Sequence, residues 1–148
     1  MLRGHEAALT WQRDTALAAL GRPLHPRSVC VAHAFVHGGA ESESERTLTV
    51  GGTGAVSRDV FGPFAYTALG HLHRPQSLGP EGRRDAVRYS GSLLPYSFSE
   101  LPEAPTDATS REAPAYTSPK SLSVVDIDPD GAVSLKTVRL ELARTPDH

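Results

Sequence analysis

A single cysteine, Cys30, stands among 148 residues, so no internal disulfide can staple the chain, and a reducing cytoplasm is the expected setting. No apolar run approaches the ~20 residues that a membrane-spanning helix requires. The opening residues include Arg3, His5 and Glu6, which leaves no room for the apolar core of a signal peptide. Charge is nearly balanced, 15 Lys and Arg against 17 Asp and Glu, for a formal net charge of −2. That balance excludes binding nucleic acid by a general positive field, and any DNA contact must be local or shared with another chain. Internal repeats are missing too, which excludes a solenoid. What remains is the composition of an ordinary soluble domain, 39% hydrophobic and 22% charged. A chain of this length fits one domain and buries about 68–70% of its unfolded surface.

The order of elements can be read from periodicity and breakers. Residues 5–20 (HEAALTWQRDTALAAL) place Leu9, Ala16, Leu17 and Leu20 at helical spacing, with Gly21 and Pro23 as the stop. Residues 28–36 (SVCVAHAFV) form an almost unbroken apolar run, the pattern of a strand covered on both faces. Residues 41–46 (ESESER) read as a polar loop, and TLTV leads into a glycine cluster at 51–54. Residues 64–71 (FAYTALGH) give a second buried strand and 86–92 (AVRYSGS) a third that breaks at Gly91. Residues 101–119 hold a proline-interrupted polar stretch without periodicity, expected to be a flexible insertion, and 141–148 a disordered tail. The segments KSLSVVDID and AVSLKTVRL flank Pro129-Asp130-Gly131, which predicts a hairpin.

Three histidines carry the candidate chemistry. Residues i and i+2 of a strand share a face, and a strand running into a loop can splay them, so His71 and His73 could grip one metal or one each of a close pair. His33 interrupts an apolar run near the expected C-terminal end of its strand, where ligand sites of open α/β sheets gather. Spacing alone leaves two readings open. One is a metal site. The other is a core histidine bonded to a carbonyl, beside a chance H-x-H in a chain with seven histidines.

Two other patterns fail on their own terms. Asp126-x-Asp128-x-Asp130-Gly131 opens like a calcium loop, but position twelve is Thr137 rather than a bidentate Glu, and strand-like segments flank it. Gly52-x-Gly54-x-x-Ser57 lacks the third glycine and the acidic residue of a dinucleotide fingerprint. Arg74, Arg83, Arg84 and Arg88 follow the histidines, as a solvated loop or as a bidentate phosphate grip beside a metal.

Taken in order, VAHAFV, SESERTLTVGG, YTALGHLHRPQ, VRYSGSLLPYSFSE and KSLSVVDID resemble the SbcD family, nuclease subunits of the SbcCD complex within the calcineurin-like metallophosphoesterases. The resemblance spans residues 27–140. G-H-x-H is shared widely among phosphoesterases, whereas SESER and RYSGS…SFSE point to this branch. It implies an α/β fold, a partial metallophosphoesterase sandwich of mixed sheets with a flanking helix. It also implies a two-metal centre, manganese with magnesium as a substitute, that hydrolyses DNA phosphodiesters as a double-strand 3'-5' exonuclease and a single-strand or hairpin endonuclease.

By the same resemblance, His33 and His71 would bind one metal and His73 the other. Arg74 and the Ser90-Gly91-Ser92 turn would support the site or contact DNA. The implied partners are DNA and the SbcC ATPase, in a homodimer or an SbcC2-SbcD2 heterotetramer, with no membrane. The family's D-x-H, G-D-x-x-D and G-N-H-[DE] motifs, which bring the bridging aspartate and a catalytic histidine, are not in this sequence. The expectation is therefore the C-terminal half of the nuclease domain over residues 1–140, without its N-terminal half or capping domain, as a fragment with no activity of its own. The alternatives are a free-standing three-histidine metal-binding protein and a non-catalytic chain that binds a partner.

Overall fold

A computed structural model describes residues 4–21, 23–41, 54–96 and 120–140. Residues 42–53, which hold most of ESESER and all of TLTV, the expected insertion at 101–119 and the expected tail at 141–148 lie outside the described residues. The described chain is mixed α/β, with one α-helix and several small sheets. No helix among the described residues is long and apolar enough to cross a membrane.

Helix α1 covers His5–Leu20 and stops at Gly21, whose φ of 81° is costly for any residue with a Cβ. Leu17 is buried and Leu9 packs on the core, whereas Ala16 and Leu20 share their face but stay exposed as the last turn overhangs. Polar ties dock the helix: Ser57 N–H donates to Glu6 at 2.8 Å, and Arg13 donates to the Val60 carbonyl at 3.2 Å.

Among the described residues eight strands follow: β1 (Val29–His33), β2 (Phe35–Val36), β3 (Ala55–Val56), β4 (Tyr66–Gly70), β5 (Gln76–Ser77), β6 (Val87–Tyr89), β7 (Ser121–Ile127) and β8 (Val133–Arg139). The main sheet has the order β1-β4-β6-β5, with β1, β4 and β6 parallel and β5 antiparallel. The expected run over residues 28–36 is thus two strands. It turns at Ala34 and continues as β2, which pairs in parallel with β3. Buried Val36, Val56, Val60, Phe61, Leu69, Leu72, Val87 and Tyr89 form the core between these elements.

The hairpin appears where the turn residues placed it, β7 against β8 from Ser121↔Arg139 to Ile127↔Val133. The Asp128 carboxylate accepts from the N–H groups of Asp130 and Ala132 at 2.9 and 2.8 Å, and Gly131 takes a φ of 87°. These acidic residues build a turn, as the failed calcium pattern suggested. Arg88 fastens the hairpin to the sheet. It is buried and donates to Ser123 at 3.0 Å and Ser77 at 2.7 Å, while Ser77 donates to Asp85.

One expectation is corrected. β1 is covered on one face only: Cys30 and Ala32 are half-buried, but Val29 is 52% and Val31 82% exposed. The sequence pattern reports which side chains are apolar, not whether another layer covers them, and β1 stands at the end of the sheet order. An edge strand with bare valines is a pairing liability. The purified chain should therefore self-associate or bind a hydrophobic dye, and Val31→Lys should reduce both. A clean wild-type monomer by light scattering, with no dye binding, would count against this reading of the face.

Candidate functional site

The C-terminal ends of β1 and β4 assemble the histidines. In the parallel register His33 lies opposite Gly70, so His71, the next residue, falls beside His33. The Gly70 position must be bare: a Cβ there would stand 2.9 Å from Nδ1 of His33. The two rings meet edge to face with centroids 5.4 Å apart, and Phe35 flanks His71 at 6.0 Å. Imidazoles that share a tetrahedral ion, each nitrogen ~2.0–2.1 Å from it, place their ring centres roughly 5 Å apart.

His71 has a φ of 118°, the one positive φ at a non-glycine among the described residues. A bulky side chain in that region costs about 1–3 kcal/mol, and such strain concentrates at functional sites. The next residue holds the strained turn in place. Leu72 is buried in the core, so the two histidines of H-L-H stand on either side of an apolar anchor.

His73 is directed elsewhere. Its ring packs on Tyr96 at 4.9 Å, tilted by 39°, instead of joining the His33–His71 pair. Its carbonyl accepts from Ser92 N–H at 3.1 Å and from the Lys120 ammonium at 3.1 Å. Gly91, at a φ of 84°, allows this approach, because a Cβ would come within 2.8 Å of the His73 oxygen and 2.9 Å of Pro75. Ser92 also donates its hydroxyl to Leu94 O at 2.8 Å, whereas Ser90 is half-buried and Arg74 is exposed. The Ser90–Ser92 turn therefore abuts the histidine loop.

Sequence reasoning missed two residues that shape this end of the sheet. Tyr89 is fully buried, and its phenol donates to Ala34 O at 2.6 Å and accepts from Val36 N–H at 3.0 Å. It thereby holds the bend directly after His33. Lys120 is the other. A tyrosine at the end of one short strand and a lysine just before another carry no pattern that marks them in advance.

Two of the four arginines after the histidines are tied to groups of the fold. Arg88 is committed to Ser77 and Ser123, and Arg83 donates to Ala65 O at 3.1 Å. Arg83 and Arg84 line a cleft of about 570 Å³ with His25, Asp85 and Asp130. This cleft adjoins Ser28 and Ala65, at the end of the sheet opposite the histidines, and its mixed charges select no ligand. Burial pushes the Cys30 thiol up, so it is a poor nucleophile at neutral pH.

Among the described residues no group of three or more His, Cys, Asp or Glu converges enough to hold an ion. Two imidazoles without a carboxylate do not suit a manganese pair, which calls for anionic oxygen ligands. No protein-family model matches the sequence.

Proposed function

We propose that this chain carries the ligand-bearing strand ends of an SbcD-type metallophosphoesterase, and serves DNA phosphodiester hydrolysis once carboxylates from outside the described residues complete the centre. One observation carries the reading. A histidine at the end of one parallel strand and the first histidine of G-H-x-H at the end of its neighbour bring their rings to 5.4 Å. The strained backbone at His71 supports it, since strain of this size persists only where the surrounding packing enforces it. On this reading DNA is the substrate, an SbcC-type ATPase the partner and a cytoplasmic setting the place of action. The deficit of carboxylates among the described residues favours a second reading, a simple imidazole site for a softer ion such as zinc.

Segment complementation tests the first reading. Alone with manganese, the chain should leave linear duplex and hairpin DNA uncut above background. Mixed with a segment of an SbcD-family nuclease bearing D-x-H, G-D-x-x-D and G-N-H-[DE], it should restore cleavage, and His71→Ala should abolish it. The nuclease reading is wrong if the mixture shows no manganese-dependent cleavage although the two segments co-purify. Cleavage by the pure chain alone, lost in His73→Ala, would show that its centre is already complete.

A further inference from the structure

Lys120 is 2% exposed, yet it is a cation, and burying a cation is unfavourable unless good acceptors surround it. Its ammonium donates to the His73 carbonyl at 3.1 Å and to the Ser92 hydroxyl at 2.7 Å. Both acceptors belong to loops at the histidine end of the sheet, while Lys120 itself precedes β7 and receives Leu140 N–H on its carbonyl at 2.9 Å. Three segments distant in sequence therefore meet at one nitrogen. The Ser92 N–H donates to the same His73 carbonyl at 3.1 Å, so Ser92 and Lys120 hold that oxygen from two sides. On the other side of His73, Leu72 is locked in the core. The backbone of His73 is thereby fixed at both ends, and the imidazole is left to lie on Tyr96.

We infer that Lys120 is a positioning residue for the second histidine of G-H-x-H: it clamps the His73 carbonyl to the Ser92 turn and so sets the direction of the His73 imidazole. The role of His73 as a ligand rests on the nuclease reading above, but the clamp itself does not. A methionine would fill much the same volume without the cost of a buried charge, so the ammonium serves the acceptors rather than the packing. Charge-assisted hydrogen bonds are the strong ones, and losing one shifts a local equilibrium by roughly tenfold or more.

Solution NMR of the full chain, without metal or DNA, tests the clamp. Lys120→Met should keep the α1 and β7–β8 signals and the His33–His71 ring contact, while the His73–Tyr96 contact falls by roughly tenfold. Lys120→Arg should restore part of it, which a purely volumetric role would not predict. If Lys120→Met does not fold, Ser92→Ala removes one acceptor and should produce the same displacement in smaller measure. In the wild type, the Lys120 ammonium protons should exchange far more slowly than those of exposed Lys136. Unchanged His73–Tyr96 contacts in a folded variant, or wild-type Lys120 exchange as fast as Lys136, overturns the inference. None of these readouts depends on nuclease activity, so the clamp and the nuclease reading can fail separately.

Discussion

Tyr89→Phe should lower the stability of the chain by about 2–4 kcal/mol, even though only one oxygen is removed. The ring fills the core either way. The phenol, however, satisfies the Ala34 carbonyl and the Val36 N–H at once, at 2.6 and 3.0 Å. The residue is 0% exposed, so water cannot take the phenol's place without opening the core. Each buried backbone group left without a partner costs about 1–3 kcal/mol, and here two are orphaned together. For a domain of this size that loss corresponds to a melting midpoint lower by about 10 °C. Urea unfolding measures it directly. A variant within about 0.5 kcal/mol of wild type, the range of an ordinary surface change, would show that the bend holds itself. The effect reaches the site because Ala34 follows His33: a loosened bend should also weaken the His33–His71 ring contact.

That bend marks the limit of what could be read from the sequence. The helix over residues 5–20 was legible because local periodicity and a terminal glycine specify it without reference to the rest of the chain. The β7–β8 hairpin was legible for the same reason, since Asp128, Asp130 and Gly131 fold the turn among themselves. The turn at Ala34 was not. Nothing in VCVAHAFV breaks the run; the break is stabilised by a phenol 55 residues away in the chain. Burial was misjudged at β1 for a related reason, because an apolar side chain says nothing of its strand's place in the sheet. Arg88 and Lys120 are the converse, cations that composition assigns to solvent and that distant serines and carbonyls draw inside. At the site, the resemblance set His33 with His71 and kept His73 apart from them, but the contacts of the His73 ring with Tyr96 and of its carbonyl with Lys120 were not legible.

Metal binding should divide these histidines in the same way. His33 and His71 already stand at a separation that one ion can bridge, whereas the His73 ring is engaged with Tyr96. Imidazole donors without a carboxylate favour zinc, copper or nickel over manganese or magnesium. The chain alone should therefore bind zinc weakly and manganese hardly at all, the reverse of what a completed nuclease centre would use. His71→Ala removes one of the two donors directly. Disturbing even an outer-shell partner commonly costs 10–100-fold in metal affinity, so this loss should be roughly tenfold at the least. Gly70→Ala provides an independent lever, since its new methyl would press on His33 Nδ1 at 2.9 Å and turn that ring away without deleting a ligand. His73→Ala should leave zinc binding nearly intact. Protonated imidazole cannot ligate, so acid should release the ion. Calorimetry on the wild type and these three variants separates the outcomes. Zinc binding indifferent to His71→Ala would remove the pair as a site. Loss in His73→Ala equal to that in His71→Ala would mean that His73 leaves Tyr96 to join the ion. Tight manganese binding by the wild type would show that residues outside the described segments already supply the carboxylates.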